Sequence, residues 1–531
     1  MYKKLFISLF FLLTNFSFYS QSKFQRIFEK GFTTAYGAQQ TSDGGYIMAG
    51  LNQVSVTNFN YLVVKTDVNG DTLWTKTYGG IGDEESYGMQ QTTDGGYIFA
   101  GIDSSSGLGD YNVYLVKTKA NGDTLWTKSY GGIHHDFGQA VQQTADGGYI
   151  IAGYTNSFST GGDDDVYLLK TDASGNLSWS KTYGGTYGDY AFAVKQTADG
   201  GYILAGITSS FGISPYGNIN DLYVLKTNAT GLLTWSKTYG QNGDDWAYSV
   251  IQTLDGGYAI TGHTNIDSTA SFSDLYLIKT NSLGDTLFTK SFGGSNYDKG
   301  LAITETQDGG LAIGGSTYSF GNGSSDVYLL KTNASGNFIF NSTFGVMGND
   351  FAYTISQTSD KGYFLGGYTE NSLVSNGSFY AIKTDSLGKD DSCNQTIPTP
   401  TIINGVAKIN NPATVVGTPA TITANNTHTN MSYSVSVINP CPIPMGIKQS
   451  TNKQTAFTIY PNPSNGNITI KTNDLKENTQ LIIYNQLGQI ILTKQINNEL
   501  TNLNLDVNAG VYQVRILNGN ELIYQAKIIK E

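Results

Sequence analysis

The 531-residue sequence is poor in cysteine and histidine, and most of its length is poor in proline. Two cysteines and four histidines argue against a zinc site built from several of these side chains. Beyond the N-terminal segment, no apolar run approaches the roughly 18 residues that a membrane-spanning helix needs. The net charge of −11 argues against nucleic acid or an anionic membrane as a partner. Helical apolar spacing is not sustained in any window.

A short phrase, Asp-Gly-Gly-Tyr in most copies, occurs seven times along the chain. Its Asp stands at positions 43, 94, 146, 199, 255, 308 and 360, so the period is a little over fifty residues. Such a period indicates a repeat architecture in which each copy is one supersecondary unit. The copy from Asp136 to Gly185 contains four short runs rich in Val, Ile, Tyr and Thr, separated by Gly/Asp/Ser turns. Four strands in about fifty residues predict one propeller blade.

The phase of the repeats predicts how the ring closes. The last copy supplies three strands before the sequence changes at Lys389, and residues 23–31 resemble the missing fourth strand. In that alignment Phe28 takes the place of Trp74, one of the aromatic residues that recur on the fourth strand. We therefore predict an all-β fold with a seven-bladed propeller of four-stranded blades at residues 21–390, closed by the N-terminal strand.

The segments on either side of the predicted propeller differ from it in composition. Residues 1–20 combine Lys3 and Lys4 with an apolar run, which is typical of a signal peptide and predicts export. Nine of the ten prolines lie between Pro398 and Pro463, so residues 391–455 are predicted to be a Thr/Pro-rich linker or a small disulfide-tied module. In an exported chain, Cys393 and Cys441 are expected to form that disulfide.

Residues 456–531 show short alternating strands separated by turns, which predicts a C-terminal β-sandwich. This segment resembles the type A C-terminal sorting domain of the type IX secretion system of Bacteroidetes. The matching residues are Tyr460, Pro461, Asn462, Pro463, Gly466, Leu487, Gly488, Gly510 and Tyr512, with terminal lysines at 527 and 530. The resemblance implies the type IX machinery as a partner, and a protein that is secreted or attached to the surface of a Gram-negative cell. It also implies removal of the sorting domain after export.

The repeat has a second resemblance. Lys170-Thr171-Asp172-Ala173-Ser174-Gly175, followed four residues later by Trp179, resembles the tryptophan-docking motif of quinoprotein-type propellers. No matching set of quinone-binding or calcium-ligating residues accompanies it. The resemblance therefore supports the propeller fold and says little about redox activity.

A carboxylate stands ten residues before the Asp of six of the seven phrases. These residues are Glu84, Asp136, Asp189, Asp245, Asp298 and Asp350, and the first copy has Thr33 instead. One interpretation is a collar at the channel mouth that binds a cation or sugar hydroxyls. The alternative is that each Asp hydrogen-bonds the backbone of its own turn, and recurrence in nearly every blade favours this alternative.

Three features break the repeat symmetry and are further candidates. His134-His135 occurs in one copy only and offers at most part of a metal site. Asp163, Asp164 and Asp165 have the oxygen density for a calcium ion, but they lack the ligand spacing of a recognised loop, and no other cofactor is expected. The alternative is a solvated acidic turn. Trp246 could stack on a sugar ring if exposed, or belong to the core if buried.

These observations favour a secreted or surface-displayed propeller used for binding or adhesion. The expected ligand is an extracellular polysaccharide or a surface protein. One alternative is a carbohydrate-active hydrolase, endoglucanase-like, with catalytic carboxylates among the propeller loops. Another is a structural surface component or one associated with gliding. The sequence itself selects no catalytic residue, and the choice between enzyme and binding protein stays open.

Overall fold

The computed structural model describes residues 22–55, 58–159, 161–212, 219–241, 243–265, 272–370, 377–390, 395–405, 408–410, 415–417, 422–425, 429–432, 436–438, 457–461, 464–472, 475, 479–485, 490–518 and 521–530. Their regular structure is β-strand, and within these ranges no helix is long and apolar enough to cross a membrane. The chain divides into two compact units, Met1–Cys441 and Pro442–Glu531. The predicted signal peptide and both cysteines lie outside the described residues.

The repeats form seven antiparallel four-stranded blades, as the sequence predicts. The strands of blade 1 are Thr33–Gln40, Tyr46–Ser55, Asn58–Thr66 and Thr72–Gly79; those of blade 2 are Glu84–Gln91, Tyr97–Asp103, Asn112–Thr118 and Thr124–Gly131; and those of blade 3 are Asp136–Gln143, Tyr149–Thr155, Asp165–Thr171 and Leu177–Gly184. The strands of blade 4 are Asp189–Gln196, Tyr202–Thr208, Asp221–Thr227 and Leu233–Gly240; those of blade 5 are Asp245–Gln252, Tyr258–Thr264, Asp274–Thr280 and Thr286–Gly293; and those of blade 6 are Asp298–Glu305, Leu311–Thr317, Asp326–Thr332 and Phe338–Phe344. Blade 7 consists of Asp350–Gln357, Tyr363–Thr369, Ser378–Thr384 and the N-terminal strand Phe24–Glu29. The first strand of each blade contacts the first strand of the next, and that of blade 7 contacts that of blade 1. The ring is therefore closed around a central channel.

The N-terminal strand pairs antiparallel with Ser378–Thr384 and is the fourth strand of blade 7. Phe24 lies opposite Lys383, as Trp74 lies opposite Lys65 in blade 1. Phe28 lies opposite Phe379, so it takes the position that the buried Tyr78 has in blade 1. The prediction that Phe28 replaces Trp74 is therefore wrong by four residues. The two aromatic positions of the fourth strand are themselves four residues apart, so Phe28 can be matched to either one by sequence.

The recurring aromatic residue on the fourth strand packs one blade against the next. The ring of Trp74 meets Tyr97 of blade 2 with their centroids 6.1 Å apart, and Trp126 meets Tyr149 of blade 3 at 5.8 Å. A glycine of the following blade also lies on this indole: Gly122 has φ +79°, and a Cβ there would come within 2.9 Å of Trp74. That turn needs glycine both for its backbone conformation and for the close approach.

The Asp-Gly-Gly phrase holds a hairpin together within each blade. In blade 3, Asp146 accepts hydrogen bonds from Thr144 Oγ1, the Gly148 amide and Lys170 Nζ. The equivalent Lys–Asp ion pair is present in all seven blades, at 2.8 to 3.1 Å. Partial burial acts to raise the pKa of Asp146, but the hydrogen bonds from Thr144 and Lys170 outweigh it and hold that pKa at about 2. The repeated Lys-Thr pair therefore supplies the counter-ion of the repeated Asp.

The glutamine that precedes the Thr of each phrase links neighbouring blades. Gln196 Oε1 of blade 4 accepts a hydrogen bond from the Ala145 amide of blade 3 at 2.8 Å. The same bond recurs at every blade boundary and finally joins Gln40 of blade 1 to the Ser359 amide of blade 7. Glu305 takes the place of the glutamine in blade 6. This closed ring of bonds is a feature that our sequence analysis did not identify.

Seven short strands between residues 395 and 438 each form the fifth strand on the outer edge of a blade. Running against the blade order, they are Gln395–Thr396 on blade 6, Thr401–Gly405 on blade 5, Lys408–Asn410 on blade 4, Val415–Gly417 on blade 3, Ile422–Asn425 on blade 2, Thr429–Ser432 on blade 1 and Ser436–Ile438 on blade 7. We call residues 395–438 the belt. An outer strand without a partner exposes its backbone amides and carbonyls, and the belt pairs with such an edge on every blade.

The second unit contains two sheets that share one core. One sheet consists of Phe457–Tyr460, Asn467–Thr472 and Leu500–Asn504, and the other of Thr479–Tyr484, Ile490–Gln495, Gly510–Asn518 and Glu521–Lys530. Ile468 and Ile470 of the first sheet join Leu481, Val514 and Ile516 of the second in a single buried cluster. This packing is the predicted β-sandwich.

The sorting-motif residues lie at turns and strand ends of this sandwich. Tyr512 donates its hydroxyl to the Asn508 carbonyl at 2.7 Å, and Gly466 has φ +103°. Lys530 Nζ donates to the Leu505 carbonyl at 2.8 Å. Tyr460 is largely exposed, and Asn462, Pro463, Leu487 and Gly488 lie outside the described residues.

Candidate ligand-binding site

The six carboxylates of the predicted collar are buried. Each stands at the start of the first strand of its blade and has a relative exposure of 0%; they are Glu84, Asp136, Asp189, Asp245, Asp298 and Asp350. Each accepts a hydrogen bond from the backbone amide four residues earlier in the chain. Asp189 also accepts from Ser210 Oγ at 2.8 Å. This geometry matches the alternative in which each carboxylate hydrogen-bonds the backbone of its own turn. A fully buried carboxylate presents no surface to a ligand.

Burial raises the pKa of these groups, and neighbouring carboxylates raise several of them further. Burial is the larger cause at Asp245, whose pKa is about 8, and Asp221 adds to it. Asp189 and Asp350 have pKa values of about 7, raised by burial and then by Asp165 and Asp326 respectively. Each pair joins the third strand of one blade to the first strand of the next. Protonation near neutral pH relieves the repulsion within such a pair.

A pocket of about 630 Å³ opens where blades 2, 3 and 4 meet. It is lined by Ser104, Asp110, Tyr111, His135, Phe137, Tyr154, Asp164 and Tyr190. These residues stand at the ends of strands: His135 precedes the first strand of blade 3, and Asp164 precedes its third strand. Tyr111 precedes the third strand of blade 2, and Tyr190 is the second residue of blade 4. We call this cavity the aromatic pocket.

Its floor is a set of aromatic rings held by strand register. Phe137 and Tyr154 are directly opposite each other on the first two strands of blade 3, and their rings stack with centroids 4.7 Å apart and planes at 12°. Tyr190 meets Tyr154 edge-on at 4.8 Å, and Tyr111 lies 5.8 Å from Phe137. Cross-strand pairs of this kind fix the orientation of both rings. The pocket therefore combines a preformed aromatic surface with polar groups around it.

The polar side of the pocket centres on Asp164. His135 Nε2 lies 2.7 Å from Asp164 Oδ1. Burial, with the charge and hydrogen bond of Asp164 as the next causes, raises the pKa of Tyr190 to about 12. Tyr190 is therefore protonated at neutral pH, so its hydroxyl can donate a hydrogen bond but is a poor nucleophile.

The three residues of the candidate calcium site have separate environments. Asp163 is exposed, Asp164 contacts His135, and Asp165 begins a strand with a relative exposure of 1%. Within the described parts of the chain, no group of three or more His, Cys, Asp and Glu side chains is arranged to hold a metal ion. His134, the neighbour of His135, is exposed, and its backbone amide donates to Ser157 Oγ at 3.0 Å.

Trp246 lies outside the aromatic pocket in a separate aromatic cluster. It is half-buried, stacks on His263 at 5.8 Å with planes at 21°, and lies 6.0 Å from the ring of Phe192 with planes at 7°. Burial lowers the pKa of His263 to about 3, and Lys299 adds to the effect, so the imidazole is neutral.

Our sequence analysis singled out Asp164 and His135 but missed the aromatic residues beside them. The sequence signal for them is that the residues at one cross-strand pair of the first two strands differ between blades. The residues paired in the place of Phe137 and Tyr154 are Glu85 and Ile102 in blade 2, Tyr190 and Ile207 in blade 4, and Lys299 and Ser316 in blade 6. The seven copies show two aromatic residues together at this pair in blade 3, in blade 5 as Trp246 and His263, and in blade 7 as Phe351 and Tyr368.

Two solved structures are similar to this chain over long stretches at low identity. A mutant of the NanB sialidase from Streptococcus pneumoniae has 11% identity over 67% of this chain and 68% of its own, with a TM-score of 0.34. PorZ, described as an essential bacterial surface component of the type-IX secretion system of Porphyromonas gingivalis, has 8% identity over 96% of this chain and 100% of its own, with a TM-score of 0.22. No curated protein matches the chain.

The family comparison concerns the second unit. Residues 458–531 match the family described as the secretion system C-terminal sorting domain. This is the segment in which Tyr460, Gly466, Gly510 and Tyr512 carry the resemblance noted from sequence. A domain of this kind implies export by the type IX secretion system, to the cell surface or the medium. The chain is thus a seven-bladed β-propeller protein that carries a type IX secretion C-terminal sorting domain.

Proposed function

We propose that this protein is an exported binding protein that attaches to extracellular polysaccharide through the aromatic pocket. The observation that carries the proposal is the stacked pair Phe137 and Tyr154, with Tyr190 beside it, in a cavity of about 630 Å³. The apolar face of a sugar ring is buried against such rings. Asp164, His135 and the Tyr190 hydroxyl supply hydrogen-bonding partners for the sugar hydroxyls.

A hydrolase is the second candidate, because the pocket lining contains two carboxylates, Asp110 and Asp164. Glycoside hydrolysis needs one carboxyl group that acts as an acid and another that acts as a base or nucleophile. Asp164 is already engaged by His135, which leaves Asp110 as the one other carboxylate of the lining. Binding without cleavage is therefore the preferred function.

The test uses the full chain and a panel of insoluble polysaccharides, with protein depletion and new reducing ends read from the same tubes. Depletion without reducing ends is the expected result. New reducing ends would make the hydrolase the better proposal. Absence of both would refute polysaccharide as the ligand and favour a protein partner or a structural role.

A matched pair of variants locates the site. Tyr154→Ala removes roughly 60 Å² of apolar contact, worth about 1.5 kcal/mol, so binding should weaken roughly tenfold. Tyr368→Ala makes the same change at the equivalent position of blade 7, away from the pocket, and should leave binding unchanged. Equal loss in both variants, or no loss in Tyr154→Ala, would show that the aromatic pocket is not the site.

A further inference from the structure

The central channel is a second cavity, separate from the aromatic pocket. Its volume is about 350 Å³, and its wall is formed by the first strands of all seven blades. One level of the wall is largely aromatic, with Tyr36 lying 5.2 Å from Tyr87 and 5.0 Å from Tyr353 between ring centroids. Below this level the wall is aliphatic, with Val141, Val194 and Ile303 among its residues.

The channel contains a single type of charge. Its lining residues include no Asp or Glu, and Lys195 is the one basic side chain among them. Lys195 is the seventh residue of the first strand of blade 4. The other blades have neutral residues at this level, namely Gln39, Gln90, Gln142, Ile251, Thr304 and Ser356. The chain carries a net charge of −11, yet the one charged side chain of this lining is positive.

Lys195 has no hydrogen bond or ion pair with any described residue. The repeated lysines near the hairpins, such as Lys170 and Lys226, each pair with an Asp. The Lys195 side chain remains exposed to water, so a solute that enters the channel can reach its ammonium group. An ammonium group without a counter-ion attracts an anion.

The Gln90 side chain of blade 2 adds a neutral donor at the same level of the channel wall. The Gln143 backbone amide donates to Gln90 Oε1 at 2.6 Å, so the oxygen of the Gln90 side chain is used by the channel wall. The Gln90 Nε2 group makes no hydrogen bond to a described residue and remains as a donor. Lysine and amide donors suit a carboxylate, and the aliphatic and tyrosine surfaces above them suit an organic body.

We infer that the central channel binds a small organic molecule carrying one carboxylate, with that carboxylate held by the Lys195 ammonium group. A single cation matches a monoanion better than a dianion such as a phosphate monoester. The site lies apart from the aromatic pocket and does not depend on the function proposed for that pocket.

Isothermal titration of the full chain at constant ionic strength tests the inference. The probes are acetate, benzoate and galacturonate, with galactose as the uncharged partner of galacturonate. At least one carboxylate should bind at the channel, and galactose should not compete with it. Equal binding of galacturonate and galactose, or binding of none of the carboxylates, would overturn the inference.

Two variants assign the binding to Lys195. Lys195→Met should weaken carboxylate binding at least tenfold, the loss expected for a hydrogen bond to a charged group. Lys361→Gly removes one positive charge at a blade 7 hairpin, outside the channel lining, and should leave binding intact. Glycine is compatible with the φ of +68° at that position.

A second measurement remains informative if the ligand is not among the probes. Lys195→Met removes an uncompensated charge from the channel, so its urea midpoint without ligand should equal or exceed that of the parent protein. A markedly lower midpoint would mean that Lys195 has a structural partner and would contradict the inference.

Discussion

Replacing Phe28 by alanine tests whether the N-terminal strand closes the ring. Phe28 is completely buried in a cluster that combines Phe379 of blade 7 with Leu62 of blade 1. Full burial of a phenylalanine side chain is worth about 1.5–3 kcal/mol. The cavity left between the two blades adds to this loss, so we expect Phe28→Ala to lower the free energy of unfolding by about 3–5 kcal/mol.

Urea unfolding followed by tryptophan fluorescence is a suitable assay, because Trp74 stands on the fourth strand of the adjacent blade 1. Phe338→Ala is the matched control, since Phe338 also lies on the fourth strand of a blade but is 36% exposed. The control should lose no more than about 1 kcal/mol. Equal losses of unfolding free energy in the two variants would refute the idea that Phe28 lies in the core that joins blade 7 to blade 1.

Two further predictions concern pH and the glutamine ring. Glu84, Asp189 and Asp245 have pKa values of about 7, 7 and 8, raised mainly by burial, so between pH 4 and 8 the native state binds more protons than the unfolded state. The free energy of unfolding should therefore fall as the pH rises from 5 to 9. The fall should be less steep in the Asp245→Asn variant. Urea titrations in which the free energy of unfolding rose over this pH range would contradict the prediction. Gln196→Ala removes the acceptor of the Ala145 amide and should cost about 0.5–1.5 kcal/mol in the same assay. Glu305→Gln restores the residue of the other six blades and should cost almost nothing, whereas a similar loss in both variants would show that the bond ring is not the cause.

Much of the propeller was predictable because its determinants are local. Six of the seven Asp-Gly-Gly hairpins have glycine at the position of positive φ, which Lys361 takes in blade 7, and each Asp meets a Lys from the same blade. These residues therefore recur with the period of the fold. Counting the copies is then enough to count the blades. The sorting domain was equally readable, because its motif residues are close together in the sequence and define short turns.

The candidate ligand-binding site was less predictable because repetition is a poor guide to exposure. The conspicuous carboxylates, such as Asp189, recur because a turn recurs, and the fold buries them. The aromatic pocket depends on residues from three blades, including Tyr111, Tyr154 and Tyr190, that are far apart in the chain. Their proximity follows from strand register and ring closure, which no local pattern contains.

The sequence alone determined the number of blades, the strands within each blade and the sorting domain, since local turn chemistry and the alternation of side chains specify them. Tertiary structure decided that Phe24, and not Phe28, takes the place of Trp74, and it decided where the seven belt strands pair. It also decided that Lys195 lines the channel without a partner among the described residues. These features depend on contacts between segments up to several hundred residues apart. Such contacts are selected by the packing of the closed ring, because many alternative pairings have the same local sequence preferences.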